Sequence, residues 1–214
     1  MKKIILITVL AIFCSMANAQ DEPTKGSDIM FGLKAGMNFS MITGDDSDDF
    51  DGKFGIHAGI VAEFPLLDQF SLQPELMYSS QGDKGSFVEE GLKMDAELKL
   101  DYLVLPVMAK YYVGDGFSLE AGPQIGFLLN SELTVKAEGM SVAVDLKDLV
   151  KDIDFGFGFG LGYKLENGLN FSGRYYVGIT NFIESEGSLL GETIYSDGST
   201  NHSNVFQLSI GYFF

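Results

Sequence analysis

The sequence predicts an all-β protein: an eight-stranded antiparallel up-and-down transmembrane β-barrel with short periplasmic turns and long extracellular loops. Three observations predict it. First, apolar residues alternate with small or polar ones at period two along eight segments, the mark of strands whose successive side chains point to opposite faces. Second, the connections between segments run long, short, long, short, long, short, long, as in outer-membrane barrels. Third, the apolar faces carry no charge. With 21% charged residues in the chain, about 45 such positions would hold about nine charges by chance, and a Lys or Arg at the lipid midplane costs about 2–4 kcal/mol.

The chain begins with Lys2 and Lys3, an apolar run over residues 4–13 and Ala17-Asn18-Ala19. A positive start, a short apolar core and an A-x-A site predict a secretory signal peptide over 1–19. The run is much shorter than the roughly 20 apolar residues of a membrane-spanning helix. Bulky Phe13 before Cys14 argues against a lipoprotein signal. Cleavage removes the only cysteine and both early lysines, taking the formal net charge from −16 to −18. So acidic a chain is not expected to bind nucleic acid. Residues 20–28 read as a flexible lead-in, and 29–214 as the barrel domain.

Strand one is expected over 29–42, with Phe31, Leu33, Ala35 and Met37 outward and Lys34, Gly36 and Asn38 inward. An acidic loop follows over 44–52. Strand two (53–64) sets Phe54, Ile56 and Ile60 against His57, Val61 and Glu63. A tight turn over 65–68 leads to strand three (69–80), where Leu72, Pro74, Leu76 and Tyr78 oppose Gln73, Glu75 and Met77. Residues 81–98 are long and charged. Strand four ends at Val113 and begins as early as Gly91, its first part forming a hairpin beyond the membrane. Its apolar positions are even from Leu92 to Leu100 and odd from Leu103 to Tyr111, which predicts a β-bulge near Asp101 or Tyr102.

A short turn, 114–116, precedes strand five (117–130), in which Phe117, Leu119, Pro123 and Ile125 oppose Ser118, Glu120 and Gln124. The interruption over 131–153 is expected to continue the strand and fold back near Glu138-Gly139. Leu146, Leu149 and Val150 have helical spacing, which points to a short amphipathic helix over 145–152, with extension of the strand pair as the alternative. Strand six (154–164) is the clearest segment: Phe155, Phe157, Phe159, Leu161 and Tyr163 alternate with four glycines. One oily face and one nearly empty face suit a narrow cylinder that touches lipid outside and must make room inside. Glu166-Asn167-Gly168 is a hairpin turn. Strand seven (169–182) carries Phe171, Tyr175 and Val177 opposite Asn170, Arg174 and Tyr176. A polar loop over 183–203 leads to strand eight (206–214). Pro74, Pro106 and Pro123 each remove a ladder hydrogen bond, and local bulges are the expected accommodation.

The inward positions collect Lys34, Glu63, Glu75, Lys110, Glu120, Lys164 and Arg174. An isolated buried charge is very costly, so these seven are expected to pair in a network that plugs the barrel. No catalytic, cofactor-binding or metal-ligating residue is assigned, and no cofactor is expected. His57 faces inward as a hydrogen-bonding residue. His202, beside Ser203, has no marked orienting carboxylate or oxyanion hole. The glycine run lies in a strand and lacks the G-x-G-x-x-G spacing of a dinucleotide site. Asp45, Asp46, Asp48, Asp49 and Asp51 read as a solvated acidic loop, with recruitment of divalent cations as the sharper alternative. A lipocalin-like carrier would need bulky apolar residues inside the cylinder, the reverse of this pattern.

Phe206, Leu208, Ile210, Tyr212 and Phe214 resemble the C-terminal signal read by the outer-membrane assembly machinery. Residues 101–112 (DYLVLPVMAKYY), 120–124 (EAGPQ) and 154–163 (DFGFGFGLGY) resemble the strand motifs of the PorT-like outer-membrane β-barrel family of Bacteroidota. The resemblance implies a barrel of about this size and, from one founding member, a part in secretion across the outer membrane. The expectation is a non-enzymatic, monomeric outer-membrane protein whose structural, adhesive or secretion-accessory role is carried by its loops. A lipid-modifying enzyme and a small-solute pore are the alternatives. Expected partners are outer-membrane lipid and lipopolysaccharide, the assembly machinery through Phe214, and a protein at the extracellular loops.

Overall fold

The computed structural model describes residues 29–44, 51–89, 92–137, 140–147, 149–181, 186–189, 192–195 and 201–214. The expected signal peptide, the lead-in and Asp45, Asp46, Asp48 and Asp49 of the acidic loop lie outside these residues. The strands are β1 Met30–Gly44, β2 Lys53–Leu67, β3 Phe70–Glu89, β4 Leu92–Tyr112, β5 Phe117–Ala137, β6 Met140–Asp145, β7 Ile153–Lys164, β8 Leu169–Gly178, β9 Glu186–Leu189, β10 Glu192–Tyr195 and β11 Asn201–Phe213. Eight of them close a ring in the order β1-β2-β3-β4-β5-β7-β8-β11, and β11 pairs back to β1. Every pairing is antiparallel. Closure leaves no free edge along the membrane-spanning part, as a bilayer requires.

The packing is inside out relative to a soluble sheet. Phe155, Phe157, Phe159, Leu161 and Tyr163 of β7 are exposed, as are Leu33, Met37, Ile56, Ile60, Leu208 and Ile210 on other strands. Lys34, Asn38, His57, Glu75, Lys110 and Arg174 are buried. The 12 residues of β7, tilted by about 40°, rise about 30 Å, which matches the hydrocarbon thickness. β3, β4 and β5 run to 20, 21 and 21 residues. Their surplus length lies at the end away from the short turns, where β6 pairs with β5 to widen a projecting sheet. The 81–98 tract is the hairpin of that extension. The fold-back between β5 and β6 falls where the sequence places it, with Ala137 opposite Met140 and residues 138–139 outside the described set.

Several local expectations change. The irregularity at Asp101/Tyr102 exists, but Asp101 pairs with Asn130 and Tyr102 with Leu128, so the extra residue is Leu129 of β5. β4 itself keeps its phase: Leu98, Leu100, Tyr102 and Val104 all point inward and are buried. Its change of apolar parity records a change of surroundings. Beyond the bilayer, the outward positions Lys93, Asp95, Glu97 and Lys99 meet water. Within it, Leu103, Leu105 and Val107 meet lipid. Pro74, Pro106 and Pro123 cause no bulge. Each coincides with an unbridged pair on one side, toward β2, β3 and β4 respectively, yet the register is the same on either side of each gap and each is bridged to its other neighbour.

Leu149 and Val150 N–H both donate to the Leu146 carbonyl, at 2.8 and 3.1 Å, and the described residues 145–147 and 149–152 carry no helix. Leu146 and Val150 instead cap the apolar cluster at the long-loop end. The seventh barrel strand ends at Gly178, the last begins at Asn201, and a separate hairpin, β9–β10, lies between them. His202 is therefore in a strand, opposite Thr43, and not in a loop.

Candidate functional site: the polar interior of the barrel

Period-two alternation aims one side chain in two at the axis, and the ring brings residues distant in sequence to one level. Arg174 of β8 sits between two carboxylates. Its Nη2 donates to Glu75 Oε1 and its Nε to Glu120 Oε2, each at 2.7 Å. Lys34 of β1 approaches Glu75 Oε1 at 3.4 Å, and Gln73 donates to the same oxygen at 2.6 Å. Nearer the short turns, Lys110 lies 3.4 Å from Glu63 and 3.5 Å from Glu120. Lys164 donates to both Glu63 oxygens at 3.2 Å, and the Tyr112 hydroxyl donates to Glu63 at 2.5 Å. All seven charges named from the sequence thus belong to one continuous network. Its members are buried, with the side chain of Lys164 the most open at 18%.

The glycine face of β7 makes room for this network. A Cβ on Gly160 would collide with the Gly173 carbonyl oxygen and lie 2.8 Å from Arg174 Cγ, and one on Gly162 would lie 2.5 Å from Glu120 Oε1 and 2.7 Å from Ser118 Oγ. On Gly156 it would collide with the Tyr176 ring. Gly158 differs: its nearest neighbour would be Met108 Cε at 3.6 Å.

A second, neutral layer lies toward the long loops. His57 Nδ1 meets Asn38 Oδ1 at 2.7 Å, and its Nε2 meets Ser209 Oγ at 2.8 Å. Asn38 also donates to Ser79 at 3.0 Å, and Gln207 donates to Asn38 at 3.2 Å. The space between the two layers is a cavity of about 10 Å3, the room of one water. Toward the long loops, Leu98, Leu100, Tyr102 and Leu128 belong to one buried apolar cluster, beside the buried polar side chains of Ser40, Gln81 and Asp83.

Three buried carboxylates were not singled out as interior charges from the sequence: Asp83, Asp154 and Asp101, the last paired with Lys99 at 3.3 Å. Asp83 is fully buried and accepts from the N–H groups of Ile42, Gly52 and Lys84 at 2.7, 2.7 and 2.8 Å. It ties the roots of the acidic loop to β3, and continuing the inward series Ser79, Gln81 would have found it. Asp154 accepts from the Tyr176 hydroxyl at 2.8 Å. Of the histidine and serine weighed for catalysis, His202 Nδ1 meets the Thr180 carbonyl at 3.2 Å and Ser203 donates to Gln81 at 3.2 Å. The two do not bond to each other. Among the described residues no group of acids, histidines or cysteines is arranged to hold a metal ion.

A closed, inside-out ring with a charged core finds its counterpart in a sequence family, the outer membrane protein beta-barrel domain, which matches residues 18–184. The chain belongs to this family. Membership places the protein in the cell outer membrane, so the short turns are periplasmic and the long strands project outward. Among solved structures, Neisserial surface protein A superposes with a TM-score of 0.52 at 10% identity, covering 85% of this chain and 96% of that one. This is likeness of fold. Ail, the attachment invasion locus protein of Yersinia pestis, gives a TM-score of 0.48 at 13% identity, covering 86% of this chain and 98% of its own. A sequence search of curated proteins finds no match.

Proposed function

We propose that this is a non-enzymatic outer-membrane protein whose barrel is plugged and whose role is exercised outside the membrane, by the extension of β3, β4, β5 and β6 and the loops around it. The observation that carries the reading is the ion network. Four cations and three carboxylates from strands all round the ring hold one another at 2.7–3.5 Å. Opening an aqueous path would separate pairs already removed from bulk water, and breaking such a pair costs about 3–5 kcal/mol. The neutral layer around His57 and the apolar cluster above it add two further constrictions in series.

The role that suits a closed scaffold is structural, adhesive or accessory to secretion. The secretion-accessory reading draws on the PorT-like motifs at 101–112, 120–124 and 154–163. Expected partners are lipid and lipopolysaccharide around the apolar band, the assembly machinery at the last strand, and a protein at the extension. The expected state is a monomer. Planar-bilayer recording tests the closed barrel: the purified protein should show no unitary conductance, and discrete channel openings would refute it. Exchanging the 81–98 hairpin for a short turn should abolish the cellular phenotype of the wild-type protein while heat-modifiable electrophoretic migration persists. A phenotype unchanged by that exchange would remove the extension from the function.

A further inference from the structure

The periplasmic mouth is an open recess of about 800 Å3, in the size range of binding sites for small molecules and short peptide segments. Its walls are apolar at Met30, Pro65, Leu67 and Leu165, with the rings of Tyr112 and Tyr163 between them. Each of the three periplasmic turns contributes one carboxylate to the lining: Asp68, Asp115 and Glu166. None of these three makes an ion pair among the described residues. The one cation in the lining is Lys164, and its ammonium is already held by both oxygens of Glu63 at 3.2 Å. The recess therefore combines apolar walls, aromatic faces and a rim of one sign. Leu67 in its lining stands 72% exposed.

We propose that this recess binds a basic segment of a periplasmic polypeptide, one in which lysines or arginines alternate with aliphatic residues. Charge complementarity selects the occupant: the rim offers three unpaired carboxylates to cations, the walls accept aliphatic side chains, and the closed ionic floor ends the site. The Tyr112 ring already faces the ammonium groups of Lys164 and Lys110 at 5.2 and 5.3 Å, so the Tyr163 ring is the aromatic face left to attract a bound cation. Such a contact would couple the barrel to a periplasmic partner on the side away from its extracellular extension.

The test uses the full mature protein in phosphatidylcholine nanodiscs and a fluorescein-labelled Lys-Leu-Lys-Leu-Lys peptide carrying a diazirine. Binding is read by anisotropy, and the photo-crosslinks are mapped by mass spectrometry. Crosslinks are expected on the three periplasmic turns. The triple variant Asp68→Asn, Asp115→Asn, Glu166→Gln should bind about tenfold more weakly while still showing the folded electrophoretic form. Leu67→Ser, which leaves the charges intact, should also weaken binding. The proposal fails if the triple variant binds within about twofold of wild type, if crosslinks fall only on the extracellular extension, or if a Glu-Leu peptide binds equally well. A gain of binding on Lys25→Ser would make this chain's own residues 20–28 the occupant and would equally overturn it.

Discussion

Replacing Arg174 by Met tests the interior most directly. The side chain is 4% exposed, and its two charge-assisted hydrogen bonds of 2.7 Å join Glu75 to Glu120. Such bonds contribute about 1.5–3 kcal/mol each, and removing one partner from a buried ion pair costs about 3–5 kcal/mol. The carboxylates would keep only longer ionic contacts, Lys34 at 3.4 Å and Lys110 at 3.5 Å. Neither lysine bridges both acids as the guanidinium does, so these contacts offset part of the loss. The expected cost is about 3–5 kcal/mol. Arg174→Lys, which keeps the charge but not the fork, should fall between Met and wild type. The assay is reversible urea unfolding from lipid vesicles, followed by heat-modifiable electrophoresis, with Asp115→Asn as an exposed control expected to change stability by less than about 0.5 kcal/mol. A cost below about 1 kcal/mol for Arg174→Met would show that the network does not depend on the guanidinium.

Three further outcomes are expected. Gly158→Ala should be nearly neutral, because its methyl would first meet Met108 Cε at 3.6 Å, whereas Gly160→Ala, whose methyl would collide with the Gly173 carbonyl oxygen and lie 2.8 Å from Arg174 Cγ, should cost about 1–3 kcal/mol in the same urea titration. Equal costs would mean the glycine row is not shaped by its neighbours. His57→Ala leaves the Ser209 hydroxyl without its partner and Asn38 Oδ1 with Gln207 alone, and should cost about 1–3 kcal/mol; a variant as stable as wild type would place water there instead. Leu208→Arg puts a charge on the lipid face near mid-strand and should cost about 2–4 kcal/mol in bilayers. A loss under about 1 kcal/mol would contradict the assignment of that face to hydrocarbon.

Strand number, which face is oily and which charges are enclosed were legible in the residues, because period two is a local property and lipid admits no charge at mid-depth. The inward positions of Lys34, Glu75 and Arg174 followed from that alone. Who pairs with whom did not. Arg174 and Glu75 are 99 residues apart, and closure of the ring sets their contact. The same holds for the three prolines. Their local signature reads as bulges, while neighbouring strands hold the register across the unbridged pairs.

The sequence by itself determined an outer-membrane barrel with eight strands and a polar, glycine-lined interior, since alternation and connection length encode both. Only the tertiary structure decided that β4 keeps one phase while its surroundings change from water to lipid, that Leu129 of β5 is the extra residue, and that Leu146 and Val150 close over an apolar cluster. The physical reason is that a side chain's pattern reports the medium it meets. Which medium lies at each height depends on how far the strand projects and on what its neighbours cover.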